Sequence, residues 1–280
     1  LSFADGTPSS GGGYTHPEAL VSVEWLQEHI DDVGLVLVGF MPPEEFEAAR
    51  IPGSVHSAPP PFEVIDTSDA SIEAWHGTAQ ELLGALGISA DSTVVAYDNA
   101  TLFSARLWWL LHYFGHENVH ILDGGLPAWD SAGGEMESGA AESPAGGEPY
   151  QGTPNPDLLA QRDEVLASLD DPDVVILDAR TLEEYAEGHI PGAVNLNFPL
   201  NAAEEPPKFF KSADELRAMY DEVGATAGKL VVPYCASGVR SAVTAFSLYL
   251  IGHEDVALYT GSWLEWGEDP ETPKTEGEEP

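Results

Sequence analysis

The chain has 280 residues, 43% of them hydrophobic and 9% aromatic, enough to bury real cores and more than one ordinary small domain holds. Against 48 Asp and Glu stand 10 Lys and Arg, a formal net charge of −38, and Lys occurs only at positions 208, 211, 229 and 274. A surface so acidic excludes a nucleic-acid partner, and with the acids spread through both halves it resembles that of proteins adapted to molar salt, where self-repulsion is screened.

In chain order, Ser22 is placed to cap a helix over Val23–Ile30, and an apolar run at Leu35–Val38 reads as a strand. A second helix is expected over Ala79–Leu86, with Thr78 as cap and Gly87 as stop, followed by strands at Thr93–Tyr97 and Val119–Leu122. Trp108 and Trp109 lie in an apolar helix between those strands and read as core. Residues 133–157, rich in Gly, Ser, Pro and Glu, read as a linker. Beyond it, strands are expected at Val174–Leu177, Leu230–Tyr234 and Val256–Tyr259, with a helix from about Ser241, and the end of the chain reads as a loosely held acidic tail over 271–280. Strands alternating with helical patterns predict an α/β fold with parallel sheets flanked by helices.

The chain repeats itself once. Phe114-Gly-His-Glu-Asn-Val119 recurs 137 positions on as Ile251-Gly-His-Glu-Asp-Val256, and Gly124 and Trp129 recur as Gly261 and Trp266. Glu44-Glu-Phe-Glu-Ala-Ala-Arg-Ile-Pro-Gly53 recurs 139 positions on as Glu183-Glu-Tyr-Ala-Glu-Gly-His-Ile-Pro-Gly192. Two copies at so long a period indicate two tandem domains, about 18–132 and 158–270, and not a solenoid. His116 and His253 recur in both copies and read as turn-fixing residues, as does His189 in its loop.

One cysteine, Cys235, excludes an intrachain disulfide and a Cys-rich metal site. With no run of about 20 apolar residues and no signal-like leader, a cytoplasmic location away from membranes is expected. Cys235 ends a buried strand and opens the tight loop Cys235-Ala-Ser-Gly-Val-Arg240 before a helix, where backbone N–H groups and the helix dipole favour a thiolate and a bound anion. Arg240 adds positive charge. Only four residues separate Cys235 from Arg240, a loop suited to a single sulfur atom better than to the phosphate that a Cys-x5-Arg loop wraps.

Leu177-Asp-Ala-Arg180 with Glu183-Glu-Tyr, Gly188-His-Ile-Pro-Gly-Ala193, the Cys235–Arg240 loop and Gly261-Ser-Trp-Leu-Glu-Trp266 together resemble the tandem-domain rhodanese family, over residues 18–267. The resemblance implies a catalytic second domain in which Cys235 takes sulfur from thiosulfate as a persulfide and passes it to cyanide or a thiol, with no metal or organic cofactor. It further implies that Ala236, Ser237, Gly238, Val239 and Arg240 bind the substrate, with Asp178 and Arg180 in support, the latter two as an ion pair. In the first copy Asp98 stands for Cys235, Phe103 for Arg240, and Gly39 and Met41 for Asp178 and Arg180, so that copy is expected to be inactive. A 3-mercaptopyruvate sulfurtransferase is the alternative, since Ala236 and Ser237 follow that subfamily's loop; Asp66 and His76 would then join Ser237, while Glu184 stands where a carboxylate-binding arginine is expected. A non-catalytic rhodanese-like binding module is the alternative of another class. A duplicated, highly charged chain is expected to be a monomer.

Overall fold

The computed structural model describes residues 13–59, 62–140 and 147–280; the part of the expected linker at 141–146 lies outside them. The first domain holds strands β1 (Leu20–Val21), β2 (Leu35–Phe40), β3 (Val55–Ser57), β4 (Thr93–Tyr97) and β5 (Val119–Leu122), and helices α1 (Val23–His29), α2 (Pro43–Ala48), α3 (Asp69–Ala85), α4 (Ser104–Tyr113) and α5 (Gly125–Ser131). Its strands pair in parallel in the order β1-β5-β4-β2-β3. The second domain holds β6 (Val174–Asp178), β7 (Val194–Asn195) and β8 (Leu230–Tyr234), with α6 (Arg162–Ala167), α7 (Leu182–Glu187), α8 (Ala213–Glu222), α9 (Val239–Leu250) and α10 (Ser262–Trp266). Its strands run β7-β6-β8, also parallel.

The expected strand at Val256–Tyr259 is not continuous. Val256 bridges Val231, Leu258 bridges Leu159, and the carbonyls of Val231 and Pro233 accept from Ala257 and Tyr259. The second sheet thus continues the plan of the first, but its two outer members are reduced to bridge-length segments.

Alternation along the strands builds cores on both sheet faces. Val38, Val94, Ala96 and Ile121 face a core shared with the second domain's Leu177, Val231, Phe246 and Leu258. Leu37, Val95, Tyr97 and Leu122 face a separate outer core, and Ile176, Val232, Tyr234, Tyr259 and Trp266 form its counterpart in the second domain. Between the sheets α4 lies against α9, with Trp108 edge-on to Phe246 at 4.7 Å. A second tie is Glu265, whose carboxylate accepts from the Thr67 N–H and hydroxyl at 2.8 and 2.7 Å.

Local expectations meet tertiary forces at several points. Ser22 caps α1, its Oγ accepting from Trp25 N. Thr78, however, caps nothing: α3 starts at Asp69, because Ile72 and Trp75 are buried in the shared core and draw the preceding polar turn into the helix, while Gly87, at φ +80°, ends it. The linker is packed, with Tyr150 buried and N–H groups of residues 147, 150, 153 and 155 donating to the carbonyls of Gly84, Gln80, Phe114 and Tyr113. Nor is the tail loose along its whole length, since Thr275 and His189 exchange backbone hydrogen bonds and Gly277 N donates to Ala186 O.

Candidate active site

β8 delivers Cys235 to the carboxyl edge of the second sheet, and the chain turns at Gly238 (φ +86°) directly into α9, two residues earlier than expected from Ser241. A side chain at Gly238 would be both strained and blocked, since an added Cβ would lie 3.0 Å from the Thr260 carbonyl oxygen. With glycine there, the Gly238 N–H points at Cys235 Sγ from 3.2 Å and the Ser241 hydroxyl from 3.5 Å. Cys235 is buried, 1% exposed, at the positive end of a 12-residue helix.

The loop is held from a third side by α10. Ser262 Oγ accepts from Cys235 N at 3.1 Å and donates to Tyr259 O, while Trp263 N and Leu264 N donate to the carbonyls of Cys235 and Ala236 at 3.0 Å. Ser262 adopts φ +54° to do this, a left-handed conformation uncommon for a residue with a side chain.

Asp178 and Arg180 form a buried ion pair of 2.6 Å, and Arg180 also donates to Gly188 O at 2.7 Å. Its guanidinium stacks over Trp263 at 4.6 Å, so the pair braces α10 and the Gly-His-Ile-Pro-Gly loop at once. In that loop His189 stacks on Tyr185 at 3.7 Å and its Nδ1 lies 2.9 Å from Tyr185 O. Arg240 is not a free cation. Its two terminal nitrogens hold Glu184 in a bidentate pair at 2.7 and 2.7 Å, and chiefly that hydrogen bonding holds the Glu184 carboxyl down at about 2.

Ser237 donates to Glu63 Oε1 of the first domain at 2.8 Å. Asp66 and His76 do not join it: Asp66 accepts from Ser68 N and the Ser71 hydroxyl, and His76 Nε2 lies 2.8 Å from Tyr113 OH. The acid that Ser237 meets sits three positions before Asp66, across a separation of 174 residues.

Arg106 on α4 was also missed. It is fully buried, donates from Nη2 to Phe62 O at 2.7 Å and lies over Trp109 at 4.6 Å. The available signal was a single arginine inside the apolar run Ala105–Leu111. Burial pushes its guanidinium down to about 10, with the charges of Cys235 and Glu63 acting the other way. Among the described residues no cluster of three or more His, Cys, Asp or Glu is placed to hold a metal ion, and no helix is long and apolar enough to cross a membrane.

Two parallel α/β domains, one carrying a cysteine in a helix-entry loop, define a duplicated fold with a single thiol-bearing loop. Residues 22–132 and 161–269 each match the rhodanese-like domain, and the chain belongs to the rhodanese family. It is 32% identical to the sulfur carrier protein TtuD of Thermus thermophilus, over 95% of this chain and 100% of that protein. It is 31% identical to the mitochondrial thiosulfate/3-mercaptopyruvate sulfurtransferase 1 of Arabidopsis thaliana, over 91% and 78% of the two chains. Among solved structures, SseA of Escherichia coli, described with the 3-mercaptopyruvate sulfotransferases, superposes with a TM-score of 0.75 at 30% identity, covering 88% of this chain and 98% of that one.

Proposed function

We propose that this protein is a sulfurtransferase that moves sulfane sulfur from thiosulfate to cyanide or a thiol through a persulfide on Cys235. The Cys235 thiolate attacks the outer sulfur of thiosulfate; the S–S bond of the donor breaks, its electron pair leaves with sulfite, and Cys235–S–S⁻ remains. The acceptor then attacks the outer sulfur, and the thiolate is regenerated as thiocyanate or a new persulfide departs. Splitting the transfer in two predicts ping-pong kinetics.

The observation that carries this reading is the convergence of the Gly238 N–H and the Ser241 hydroxyl on Sγ at a helix N-terminus, a ready cradle for the extra sulfur and its charge. Residues 236–240 then line the persulfide, and Asp178 and Arg180 brace the loop. The second domain is the catalytic one and the first supplies a wall of the site. Names of relatives support sulfur transfer but include both thiosulfate and 3-mercaptopyruvate as donors.

A 3-mercaptopyruvate activity is favoured by one observation, the Ser237–Glu63 hydrogen bond, which gives the loop serine an acidic partner able to handle a proton. Thiosulfate is preferred because the Asp66 and His76 partners of that reading bond elsewhere. Steady-state sulfur transfer to cyanide in molar KCl, with each donor in turn, for the native protein and Cys235→Ser, tests the proposal. Thiosulfate turnover abolished by the substitution is expected. Preference for mercaptopyruvate reassigns the donor; turnover surviving in Cys235→Ser refutes the persulfide, and no turnover with either donor points to a binding module.

A further inference from the structure

We infer that Arg106, reaching in from the first domain, is the cation that recognises the anionic sulfur donor beside Cys235, so that the donor site is shared between the two domains. The inference rests on the reading of Cys235 as the sulfur-accepting group, and it assigns a role that neither the family motifs nor the catalytic loop supplies.

The two arginines that the sequence places at the site are already occupied. Arg240 is clamped by Glu184 and Arg180 by Asp178. Arg50, Arg162 and Arg217 likewise have carboxylate partners. Of the six arginines, Arg106 alone has no ion pair among the described residues, although it is the one with no exposure to solvent at all. Only Nη2 is bonded; Nε and Nη1 are buried with no partner.

A buried guanidinium with unmade hydrogen bonds is costly, and such a group is retained where an anion completes it. The chain puts these unpartnered donors near the loop. Arg106 holds the carbonyl of Phe62, and the next residue, Glu63, accepts from Ser237, two positions after Cys235. The 62–63 segment therefore links the guanidinium to the catalytic loop, and Cys235 and Glu63 are the two ionisable groups near enough to act on the Arg106 charge. Glu63 has one oxygen engaged by Ser237 and makes no salt bridge to Arg106. A small sulfur oxyanion entering over Cys235 would meet Arg106 as its unshared positive partner, and guanidinium suits oxyanions by geometry as well as charge.

The test compares wild type, Arg106→Lys and Arg106→Met in molar KCl. The first readout is the ratio of Cys235 inactivation rates by iodoacetate, an anion, and iodoacetamide, its neutral counterpart. A merely structural arginine would shift both rates together and leave the ratio unmoved. The ratio is expected to fall about tenfold in Arg106→Met and to stay within about twofold in Arg106→Lys. The second readout is the KM for thiosulfate, expected to rise at least about tenfold in Arg106→Met with a smaller change in kcat.

A folded Arg106→Met with an unchanged ratio and KM overturns the inference. Should that variant not fold, Arg106→Lys decides on its own, because losing the planar fork while keeping the charge should raise KM about threefold or more, and an unchanged KM counts against the assignment. Activity of Cys235→Ser is measured in parallel. If it survives, the persulfide reading fails; if it is lost while Arg106 variants behave as wild type, only the present inference fails.

Discussion

Asp98 occupies in the first domain the place that Cys235 occupies in the second, and its carboxylate fills the loop that in the second domain surrounds the Cys235 sulfur. Asp98 Oδ1 accepts from Thr101 N at 2.8 Å and Leu102 N at 3.0 Å, and Oδ2 accepts from Ser104 N at 2.9 Å. In the second domain Gly238 N, the counterpart of Thr101 N, donates to the Cys235 sulfur, and the Ser241 hydroxyl joins it. The same backbone nest binds a built-in anion in one copy and presents a thiol in the other.

It follows that Asp98 is a structural anion whose loss strands buried donors. Asp98→Ala should destabilise the fold by about 3 kcal/mol, and Asp98→Asn, which keeps one acceptor oxygen, by about half of that. Chemical denaturation of both variants in molar KCl measures it. A change below about 0.5 kcal/mol for the alanine variant would mean that the nest does not depend on its anion.

The Ser237–Glu63 bond decides between donors. If Ser237 only ties the domains, Ser237→Ala should cost about 1 kcal/mol or less of stability and leave thiosulfate kcat within about threefold. If it handles a proton, turnover with 3-mercaptopyruvate should drop by about 100-fold or more while thiosulfate turnover persists. Running both donors on the one variant separates the two roles.

The pairing of Glu184 with Arg240 makes loop stability dependent on pH. The folded Glu184 carboxyl lies at about 2, below its ordinary 4.5, so its contribution is complete above pH 4.5 and is lost as pH falls from there towards 2. The carboxylate is 36% exposed, so screening limits the effect to about 1 kcal/mol. Glu184→Gln should therefore lower the unfolding midpoint at pH 7 and converge on wild type near pH 2. A gap of equal size at both pH values would place the effect in packing and not in charge.

The strands at Thr93–Tyr97, Val119–Leu122 and Leu230–Tyr234 were legible residue for residue, because β-branched apolar runs between polar turns leave little choice. The helix at Asp69–Ala85 was only half legible: what adds its first turns is burial of Ile72 and Trp75 in the shared core, with Trp75 against Tyr113 of α4, a tertiary contact that local pattern does not carry. Within the site, the loop from Cys235 to Arg240 and the Asp178–Arg180 pair could be read from adjacent residues. Glu63 could not, since it meets Ser237 across the domain boundary, nor could Arg106, which is anchored to the neighbouring Phe62 carbonyl, and Glu184 changes the meaning of Arg240 from 56 positions away.

Salt dependence follows from how few cations there are and where they go. Five of the six arginines already neutralise individual carboxylates, and Arg106 is buried. With 48 acidic side chains against ten cationic ones, most of the acids have no cation to pair with. At 0.1 M salt their repulsion reaches over about 10 Å, across neighbouring groups on one face; at 1 M it is cut to about 3 Å. The unfolded chain can spread these charges and the folded one cannot, so lowering salt should favour unfolding. Far-UV circular dichroism on dilution from 2 M to 0.1 M KCl should show cooperative loss of helix, and the thermal midpoint should climb steadily with KCl. Because screening acts on any ion, NaCl should substitute for KCl within a few degrees. A midpoint independent of salt would mean that the apolar core shared by the two domains, with Trp108 against Phe246, outweighs the repulsion even unscreened.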